Sequence, residues 1–397
     1  MTEAADGAPR HGTWSVYVHF PWCLKRCAYC DFATSVARQI PREDYCAAIL
    51  AELTLRTAHL QPAPIATVFF GGGTPSLWGA PFVGRVLQWL DNWAGLQRAA
   101  EVTLEANPGA AEAGDLRAYA AAGVNRLSVG IQALDDDRLR ALDRLHDAAQ
   151  ARATLATVTA LLGAGHLNSC SADLIFGVPG QSLADTQADI DAVLAYGVPH
   201  LSAYALTVEP GTPLARAVAQ GQTRAPDDDL QADMLDSLPA LVAPHGLQRY
   251  EISNYARPGH QCRHNLAYWQ GHHYLAVGVG AHGFVPHAGQ CGLRYANTRN
   301  SQNYLKKLSA GLLATDFSES IGTAQHRTEL LLTGLRLDCG MDLRAFDRAI
   351  GPGAADSVLQ RARELGMLDD LLLCDGNNLR VDRRRVNRLD SLIVALA

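Results

Sequence analysis

Six short runs rich in apolar, β-branched and aromatic residues alternate with helix-like segments over the first half of the chain, and this alternation limits the fold more than any other feature. The runs are Trp14–Phe20, Ile65–Phe70, Glu101–Glu105, Arg126–Gln132, Ser171–Phe176 and Leu201–Val208. Strands that alternate with helices are typical of a parallel α/β sheet, and right-handed crossovers coil such a sheet into a full or partial barrel. We therefore expect an α/β fold.

Composition is that of a globular protein. The 397 residues are 48% apolar and 19% charged, which is enough to bury a sizeable core in about two or three domains. The net charge of −6 makes general binding to nucleic-acid phosphates unexpected. No apolar run approaches the ~20 residues of a membrane span, and the first sixteen residues lack the apolar segment of a secretory signal. We expect a soluble protein of the reducing cytoplasm.

Polar or conformationally special residues follow the first five strands where each ends. They are a cysteine-rich loop, Gly71–Thr74, Glu105, Gln132 and Asp173. In parallel α/β barrels the active site lies at the carboxyl ends of the strands. A single buried carboxylate at such a position is sometimes only structural, but five strand ends of this kind predict a binding site.

The loop after the first strand contains Cys23, Cys27 and Cys30, with Tyr29 before the last of them. Three thiolates can bind three irons of one [4Fe–4S] cluster and leave the fourth iron for a small bidentate ligand. The amino and carboxylate groups of S-adenosylmethionine suit that iron, and an electron from the cluster can then cleave the sulfonium to a 5′-deoxyadenosyl radical. The C-x3-C-x2-C spacing resembles the radical S-adenosylmethionine superfamily.

Two other interpretations of these cysteines are weaker. A zinc site usually has a second Cys or His pair at a fixed spacing, and no such pair is nearby. A disulfide framework does not suit an odd total of nine cysteines in a chain of this length.

The residues at the other strand ends suit the remaining parts of S-adenosylmethionine. The glycines let the backbone approach a ligand closely, and Glu105, Gln132 and Asp173 can accept hydrogen bonds from amine and ribose groups. Arg144 can bind a carboxylate with its planar guanidinium, although taken alone it is more typical of a solvated charge on a helix.

Several motifs together resemble the oxygen-independent coproporphyrinogen III oxidase-like family over about residues 14–300. They are Tyr17-Val-His-Phe-Pro-Trp-Cys23, Gly71-Gly-Gly-Thr-Pro75, Glu105-Ala-Asn-Pro108, Gly130-Ile-Gln132 and Asp173-Leu-Ile-Phe-Gly-Val-Pro179. The resemblance implies a (β/α)6 partial barrel followed by a C-terminal helical domain. It also implies that S-adenosylmethionine is bound at Tyr17, Gly72, Gly73, Thr74, Glu105, Gln132, Arg144 and Asp173.

Two subgroups of that family share these motifs. The oxidases have a fourth cysteine two residues after the third and a long N-terminal extension, whereas this chain has Phe32 there and only sixteen residues before Tyr17. The HemW-type heme chaperones read C-D-F at this place and H-N-x-x-Y-W downstream, which is similar to His264-Asn-Leu-Ala-Tyr268-Trp269 here. This resemblance implies heme binding and delivery to hemoproteins such as membrane respiratory enzymes. Radical decarboxylation of coproporphyrinogen is the alternative.

The H-N-x-x-Y-W motif lies in a stretch rich in aromatic residues and histidine, from Tyr250 to Phe284. Imidazole is a common axial ligand of heme iron, so His264 is the candidate ligand, with Cys262 as a softer alternative. The same residues allow a purely structural interpretation, because His264 and Tyr268, four residues apart, can pack one helix onto the barrel.

Four segments follow from these patterns. Residues 1–13 are an N-terminal tail, 14–210 the radical S-adenosylmethionine core, 211–315 an extension with the H-N-x-x-Y-W motif, and 316–397 a winged-helix-like domain. In the last segment we expect helices at about Thr323–Leu335, Leu343–Ile350 and Ala354–Leu365, then strands at Met367–Cys374 and Leu379–Val381. The basic run Arg380–Arg388 suits a protein-docking surface better than nucleic acid, because the chain is acidic overall. The oligomeric state is open, with a homodimer among the candidates.

Overall fold

Six parallel strands form the centre of the protein, as the sequence predicts. The computed structural model describes residues 12–109 and 114–396, so most of the predicted N-terminal tail lies outside it. The strands, in hydrogen-bonded order, are β1 Trp14–Phe20, β2 Ile65–Gly72, β3 Leu96–Ala106, β4 Arg126–Gln132, β5 Ser169–Phe176 and β6 His200–Ala205. The connecting helices are α1 Arg42–Thr57, α2 Ala80–Ala94, α3 Leu116–Ala121, α4 Asp136–Ala141, α5 Ala148–Gly163 and α6 Leu183–Leu194.

The sheet continues beyond this parallel core at both edges. After α7 Pro213–Ala219 and α8 Asp228–Val242, the hairpin β7 Gln248–Glu251 and β8 Asn254–Ala256 pairs antiparallel with β6. On the other side β9 Tyr274–Val277 pairs parallel with β1, followed by the antiparallel strands β10 His282–Val285, β11 Gly292–Asn297 and β12 Thr315–Ile321. Helices α9 Arg263–Trp269 and α10 Ser301–Ser309 connect these strands. In the part of the chain that the structure describes, β7 and β12 are the two edges of one open, twelve-stranded sheet.

The predicted partial barrel is therefore confirmed, with one parallel strand more than expected and five antiparallel strands in addition. The parallel strand β9 is missing from the sequence prediction because its four residues, Tyr-Leu-Ala-Val, lie among loop-like Gly and His residues. The strand predicted for Leu201–Val208 ends at Ala205, because its partner β5 ends opposite that residue, at Phe176.

Both faces of β1 are covered, which explains its continuous apolar run. Val16, Val18 and Phe20 are fully buried against the helices. Phe20 stacks on Trp78 and makes an edge contact with Trp22, at centroid distances of 5.5 and 5.3 Å. This aromatic packing holds the backbone at the start of the cysteine loop.

A buried ion pair connects α1 with the added strands. Glu52 is completely buried and accepts hydrogen bonds from Arg56 at 2.6 Å and from the Tyr304 hydroxyl at 2.6 Å. The backbone N–H of Gly278 and the side-chain amide of Asn297 also donate to it, at 2.9 and 2.7 Å. Glu52 therefore joins α1 to the end of β9 and to α10.

The C-terminal residues form a second apolar core. Helices α11 Thr323–Gly334, α12 Leu343–Ile350, α13 Ala354–Glu364 and α14 Leu389–Leu396 pack around a small antiparallel sheet of β13 Met341–Asp342, β14 Leu372–Asp375 and β15 Asn378–Val381. The strand predicted to begin at Met367 begins at Leu372, because residues 367–371 form turns after α13. That this unit is a winged-helix-like domain stays a prediction. No helix in the described residues has the length and apolar character needed to cross a membrane.

Candidate functional site

A cavity of about 540 Å³ lies inside the partial barrel and opens at the carboxyl ends of the strands. All twelve site residues predicted from the sequence line it, which are Tyr17, Cys23, Cys27, Cys30, Gly72, Gly73, Thr74, Glu105, Gln132, Arg144, Asp173 and His264. A volume of this size is typical of a small-molecule site. Residues from five strands, three loops and the later helix α9 thus line one cavity.

The three cysteines lie on one side of this cavity, in the loop after β1. The backbone of Gly73 passes beside them, and its N–H donates to Phe20 at 2.7 Å. A Cβ atom on Gly73 would lie 2.7 Å from the carbonyl of Trp22 and 3.0 Å from Cys23 Sγ. Only glycine therefore allows this close approach of the two loops.

The donor set of the cysteine loop, three thiols at one side of the cavity, suits a [4Fe–4S] cluster. In residues 12–109 and 114–396, no group of three or more His, Cys, Asp or Glu side chains is arranged to hold a metal ion. A [4Fe–4S] cluster takes one thiolate per iron, so its ligands need only surround it. Arg144 Nη1 donates to Cys27 Sγ at 3.3 Å. When bound, such a cluster supplies an electron and an iron with an open coordination position.

Tyr17 is fixed in the cavity by His19, which the sequence analysis did not select as a site residue. His19 Nε2 lies 3.0 Å from the carbonyl of Ala33, which can only accept, so Nδ1 accepts from the Tyr17 hydroxyl at 3.0 Å. Burial lowers the pKa of His19 to about 4, so the ring is neutral. The sequence signals for this role are that His19 is two residues from Tyr17, and so on the same face of β1, and that it belongs to the motif that begins at Tyr17.

Gly72 lies directly against His19, which leads to a first prediction. Its φ is +117°, and a Cβ atom there would lie 2.5 Å from the His19 ring. We expect Gly72→Ala to lower the stability of the protein by about 1–3 kcal/mol and to weaken binding of S-adenosylmethionine. Thermal unfolding and equilibrium dialysis measure the two effects.

Gly84→Ala is the matched control for that substitution. Gly84 lies inside α2, where a Cβ atom would meet only Ala122 at an ordinary 3.7 Å. Alanine favours a helix by up to about 1 kcal/mol, so this variant should be as stable as the wild type or more so. If Gly72→Ala and Gly84→Ala change stability and ligand affinity equally, the contact between residue 72 and the His19 ring has no effect on either quantity.

Glu105 is the buried carboxylate next to the glycine loop. Its Oε2 accepts the N–H of Gly72 at 3.0 Å. Burial raises the pKa of Glu105 to about 8, with a further increase from nearby Asp173, while the Gly72 N–H opposes the shift. Glu105 is therefore protonated near neutral pH.

This shift predicts how ligand binding depends on pH. S-adenosylmethionine is cationic at its sulfonium, so it binds better when Glu105 is ionised. We expect its affinity to rise by up to about tenfold per pH unit between pH 6 and 8 and to level off above that. Calorimetric titration over this range measures it. Glu105→Gln should lose this increase in affinity with pH, whereas the control Glu43→Gln, at an exposed position of α1, should keep it. An increase that persists in Glu105→Gln would contradict the assignment of the pH dependence to Glu105.

Asp173 lies deeper in the cavity within a group of serine hydroxyls. Ser128 donates to both of its oxygens, at 3.1 and 3.0 Å, and Ser171 donates at 3.0 Å. Burial raises the pKa of Asp173, and the hydroxyls of Ser202, Ser128 and Ser171 oppose that shift. The sequence predicts the carboxylate, but the serines belong to three strands and carry no motif.

Backbone strain marks the region of Gln132 and Arg144. Among the described residues other than glycine, only Gln132, Asp143 and Asp369 have positive φ, and the first two adjoin the cavity. Arg144 Nη2 donates to Asn107 at 2.6 Å and to the carbonyl of Gly130 at 3.1 Å. Strained conformations of this kind concentrate at functional sites, and here they direct Arg144 toward the cysteine loop.

His264 closes the inner side of the cavity from helix α9. Its ring is 1% exposed and stacks on Phe69 at 5.2 Å between centroids. Nδ1 lies 2.8 Å from the Thr67 hydroxyl and Nε2 lies 2.8 Å from the Tyr268 hydroxyl. Burial lowers the pKa of His264 to about 3, so the ring is neutral. The packing that the sequence offered as a structural interpretation is thus present, at a position that lines the cavity.

The parallel partial barrel and the cysteine loop at its open end define a radical S-adenosylmethionine protein. Residues 17–193 match the radical SAM superfamily. The coproporphyrinogen III oxidase HemN of Escherichia coli, described as a radical SAM enzyme, has a similar fold. Its TM-score is 0.79 at 20% identity, over 99% of this chain and 91% of that one.

Curated relatives identify the family more narrowly. The heme chaperone HemW of Mycobacterium tuberculosis is 38% identical over 376 residues, which cover 94% of this chain and 92% of that protein. The heme chaperone HemW of Escherichia coli is 38% identical over 74% of this chain and 75% of its own length. The chain belongs to the HemW family.

Proposed function

We propose that this protein binds heme and transfers it to hemoproteins, and that it holds a [4Fe–4S] cluster and S-adenosylmethionine in the barrel cavity. The relatives that are heme chaperones by name support this function. The structural observation that carries it is that His264 and Tyr268 of the H-N-x-x-Y-W motif line the same cavity as the three cysteines.

His264 is the proposed axial ligand of the heme iron. For Nε2 to bind iron, the Tyr268 hydroxyl, 2.8 Å away, must move aside while Nδ1–H donates to Thr67. The neutral ring then presents a free lone pair. Cys262 is the weaker candidate, because burial raises the pKa of its thiol to about 12 and iron binds the thiolate.

Heme titration after anaerobic cluster reconstitution tests this function. We expect about one heme per chain in the wild type and at least about tenfold weaker binding in His264→Ala. Tyr268→Phe leaves Nε2 without its partner and should bind heme as tightly as the wild type or more tightly. His287→Ala, an exposed histidine of the same region, is the matched control.

The outcomes separate the function from the ligand assignment. A wild-type protein that binds no heme would show that the proposed function is wrong. Unchanged binding and an unchanged absorption spectrum in His264→Ala would leave the function standing and would show that another residue binds the iron.

The second candidate function is oxidation of coproporphyrinogen. It is favoured by one observation, namely that the cysteine loop, the glycine loop and Glu105 lie together in the cavity as radical chemistry requires. An anaerobic assay with coproporphyrinogen, a reductant and S-adenosylmethionine distinguishes it. Formation of protoporphyrinogen would replace the chaperone function with the oxidase.

The proposal also includes the proteins that receive the heme, the oligomeric state and the cellular location. We infer that membrane respiratory enzymes receive the heme on their cytoplasmic side, that the protein acts in the cytoplasm, and that two copies associate during transfer. The nine cysteines form no disulfide in the structure, which suits a reducing compartment. Light scattering with and without S-adenosylmethionine tests the dimer.

A further inference from the structure

Four Lys and Arg side chains line the cavity, and three of them have partners in the protein. Lys25 pairs with Asp143, and Arg26 Nε donates to the carbonyl of Cys30 at 3.0 Å. Arg144 contacts Cys27, Asn107 and Gly130. The fourth is Arg126, which is only 2% exposed. Among the described residues none forms an ion pair or hydrogen bond with its guanidinium, and its Nε is buried without an acceptor.

The acidic groups nearest to Arg126 are already engaged elsewhere. The carboxylate of Glu101 accepts the backbone N–H groups of Arg263 and His264, at 3.1 and 3.0 Å, at the start of α9. Asp173 accepts the hydroxyls of Ser128 and Ser171. Burial opposes the charge of Arg126, but Cys262, Glu101, Tyr250 and Asp173 outweigh burial through space and raise the pKa of the guanidinium. Neither carboxylate accepts a hydrogen bond from it.

The other polar groups around Arg126 also have partners and are neutral. His200 bonds to Ser171 at 2.8 Å and to the Tyr250 hydroxyl at 2.9 Å. Burial lowers the pKa of His200 well below its usual value, so this ring adds no charge. Arg126 is therefore the single buried cation at this depth of the described cavity.

A buried donor without an acceptor is costly, and the Nε of Arg126 is such a donor. Its position adds a second argument. Arg126 begins β4, whereas Gln132 ends the same strand at the open end, so Arg126 lies deep in the cavity, away from the cysteine loop. A ligand with a negative group that reaches this depth would supply the missing partner.

We propose that Arg126 binds a carboxylate of a ligand that enters the barrel cavity. A carboxylate matches the planar, bidentate donor geometry of arginine. The carboxylate is that of a heme propionate, so the proposal rests on the proposed function. The carboxylate of S-adenosylmethionine is expected at the cluster iron beside the cysteine loop, away from Arg126. The sequence gives no sign of this role, since Arg126 appears only as the first residue of a strand.

One pair of ligands tests the proposal, namely heme and heme dimethyl ester, whose propionates are capped. We expect the wild type to prefer heme over the diester by about tenfold or more, and Arg126→Met to lose that preference. Arg126→Lys keeps the charge without the planar guanidinium and should retain part of the preference. An unchanged preference in Arg126→Met would overturn the proposal.

Thermal unfolding with and without heme gives an independent readout, because a ligand stabilises the folded state that binds it. Heme should raise the Tm of the wild type more than that of Arg126→Met. Arg249→Met is the matched control, because Arg249 is similarly buried but pairs with Asp338 at 2.7 Å and does not line the cavity, so it should keep the wild-type response to heme where it is folded. An equal rise in the wild type and in Arg126→Met would contradict the proposal, whereas a wild type that binds no heme would show that the proposed function itself is wrong.

Discussion

Cys27→Ala is expected to fold but to hold no intact cluster after anaerobic reconstitution. In the proposed site the three cysteines would bind three of the four irons, so the loss of one would leave half of the irons without a protein ligand. We expect the iron content to fall from about four atoms per chain to below about one, and reductive cleavage of S-adenosylmethionine to fall to background. Iron analysis, the visible absorption spectrum and the release of 5′-deoxyadenosine measure these losses. Cys27 is only partly buried, so alanine there removes little packing.

Cys374→Ala is the control for that experiment. Cys374 is exposed in strand β14 of the C-terminal unit, and it does not line the cavity. This variant should keep the full iron content and the wild-type cleavage rate. A Cys27→Ala protein with wild-type iron content would show that the loop does not hold the cluster, and the account of the cavity would then be wrong.

The sequence predicts the cavity well where one residue type at a strand end is enough to indicate the chemistry. Three cysteines in one loop, a run of glycines and single acids after buried strands are all local patterns, and the structure brings these residues to one cavity. Their contacts could be anticipated because the carboxyl ends of parallel strands lie on one side of a sheet.

Roles that depend on contacts between distant segments could not be predicted in this way. His19 matters because Gly72 passes against its ring, and Arg126 because its acidic neighbours are bound to other donors. Strand β9 is too short to show a period, and it is a strand because β1, from the other end of the chain, pairs with it. In each case the deciding information is the partner, which the local sequence does not contain.

The motif around His264 is a local pattern that the sequence shows clearly but that does not decide between two roles. The spacing of His264 and Tyr268 fits both a heme site and helix packing, and the structure contains their hydrogen bond. The two interpretations are compatible, because the hydrogen bond can hold the helix while heme is absent. Heme binding would then require that this bond breaks and frees Nε2 for the iron. Comparison of Tyr268→Phe with His264→Ala therefore tells more than either variant alone.

Glu52→Ala should have the largest effect on stability of any single substitution considered for this protein. It leaves the guanidinium of Arg56, whose side chain is 7% exposed, without its carboxylate partner, and it also removes the acceptor of the Gly278 N–H. Breaking a buried ion pair from one side typically costs about 3–5 kcal/mol. Urea unfolding, followed by the fluorescence of buried Trp22 and Trp78, measures this loss. Glu43→Ala, in the same helix, breaks only the exposed pair with Arg85 and should leave the transition unchanged.

The same substitution links stability to the cavity. Glu52 holds the end of β9, and β9 is the strand that pairs with β1 beside Tyr17. Loosening β9 therefore frees one edge of the strand that carries Tyr17 and leads into the cysteine loop. We expect Glu52→Ala to bind S-adenosylmethionine more weakly even at temperatures where it is folded, whereas Glu43→Ala binds normally. Wild-type affinity in a folded Glu52→Ala protein would show that β1 keeps its position without β9, because its pairing with β2 is then sufficient.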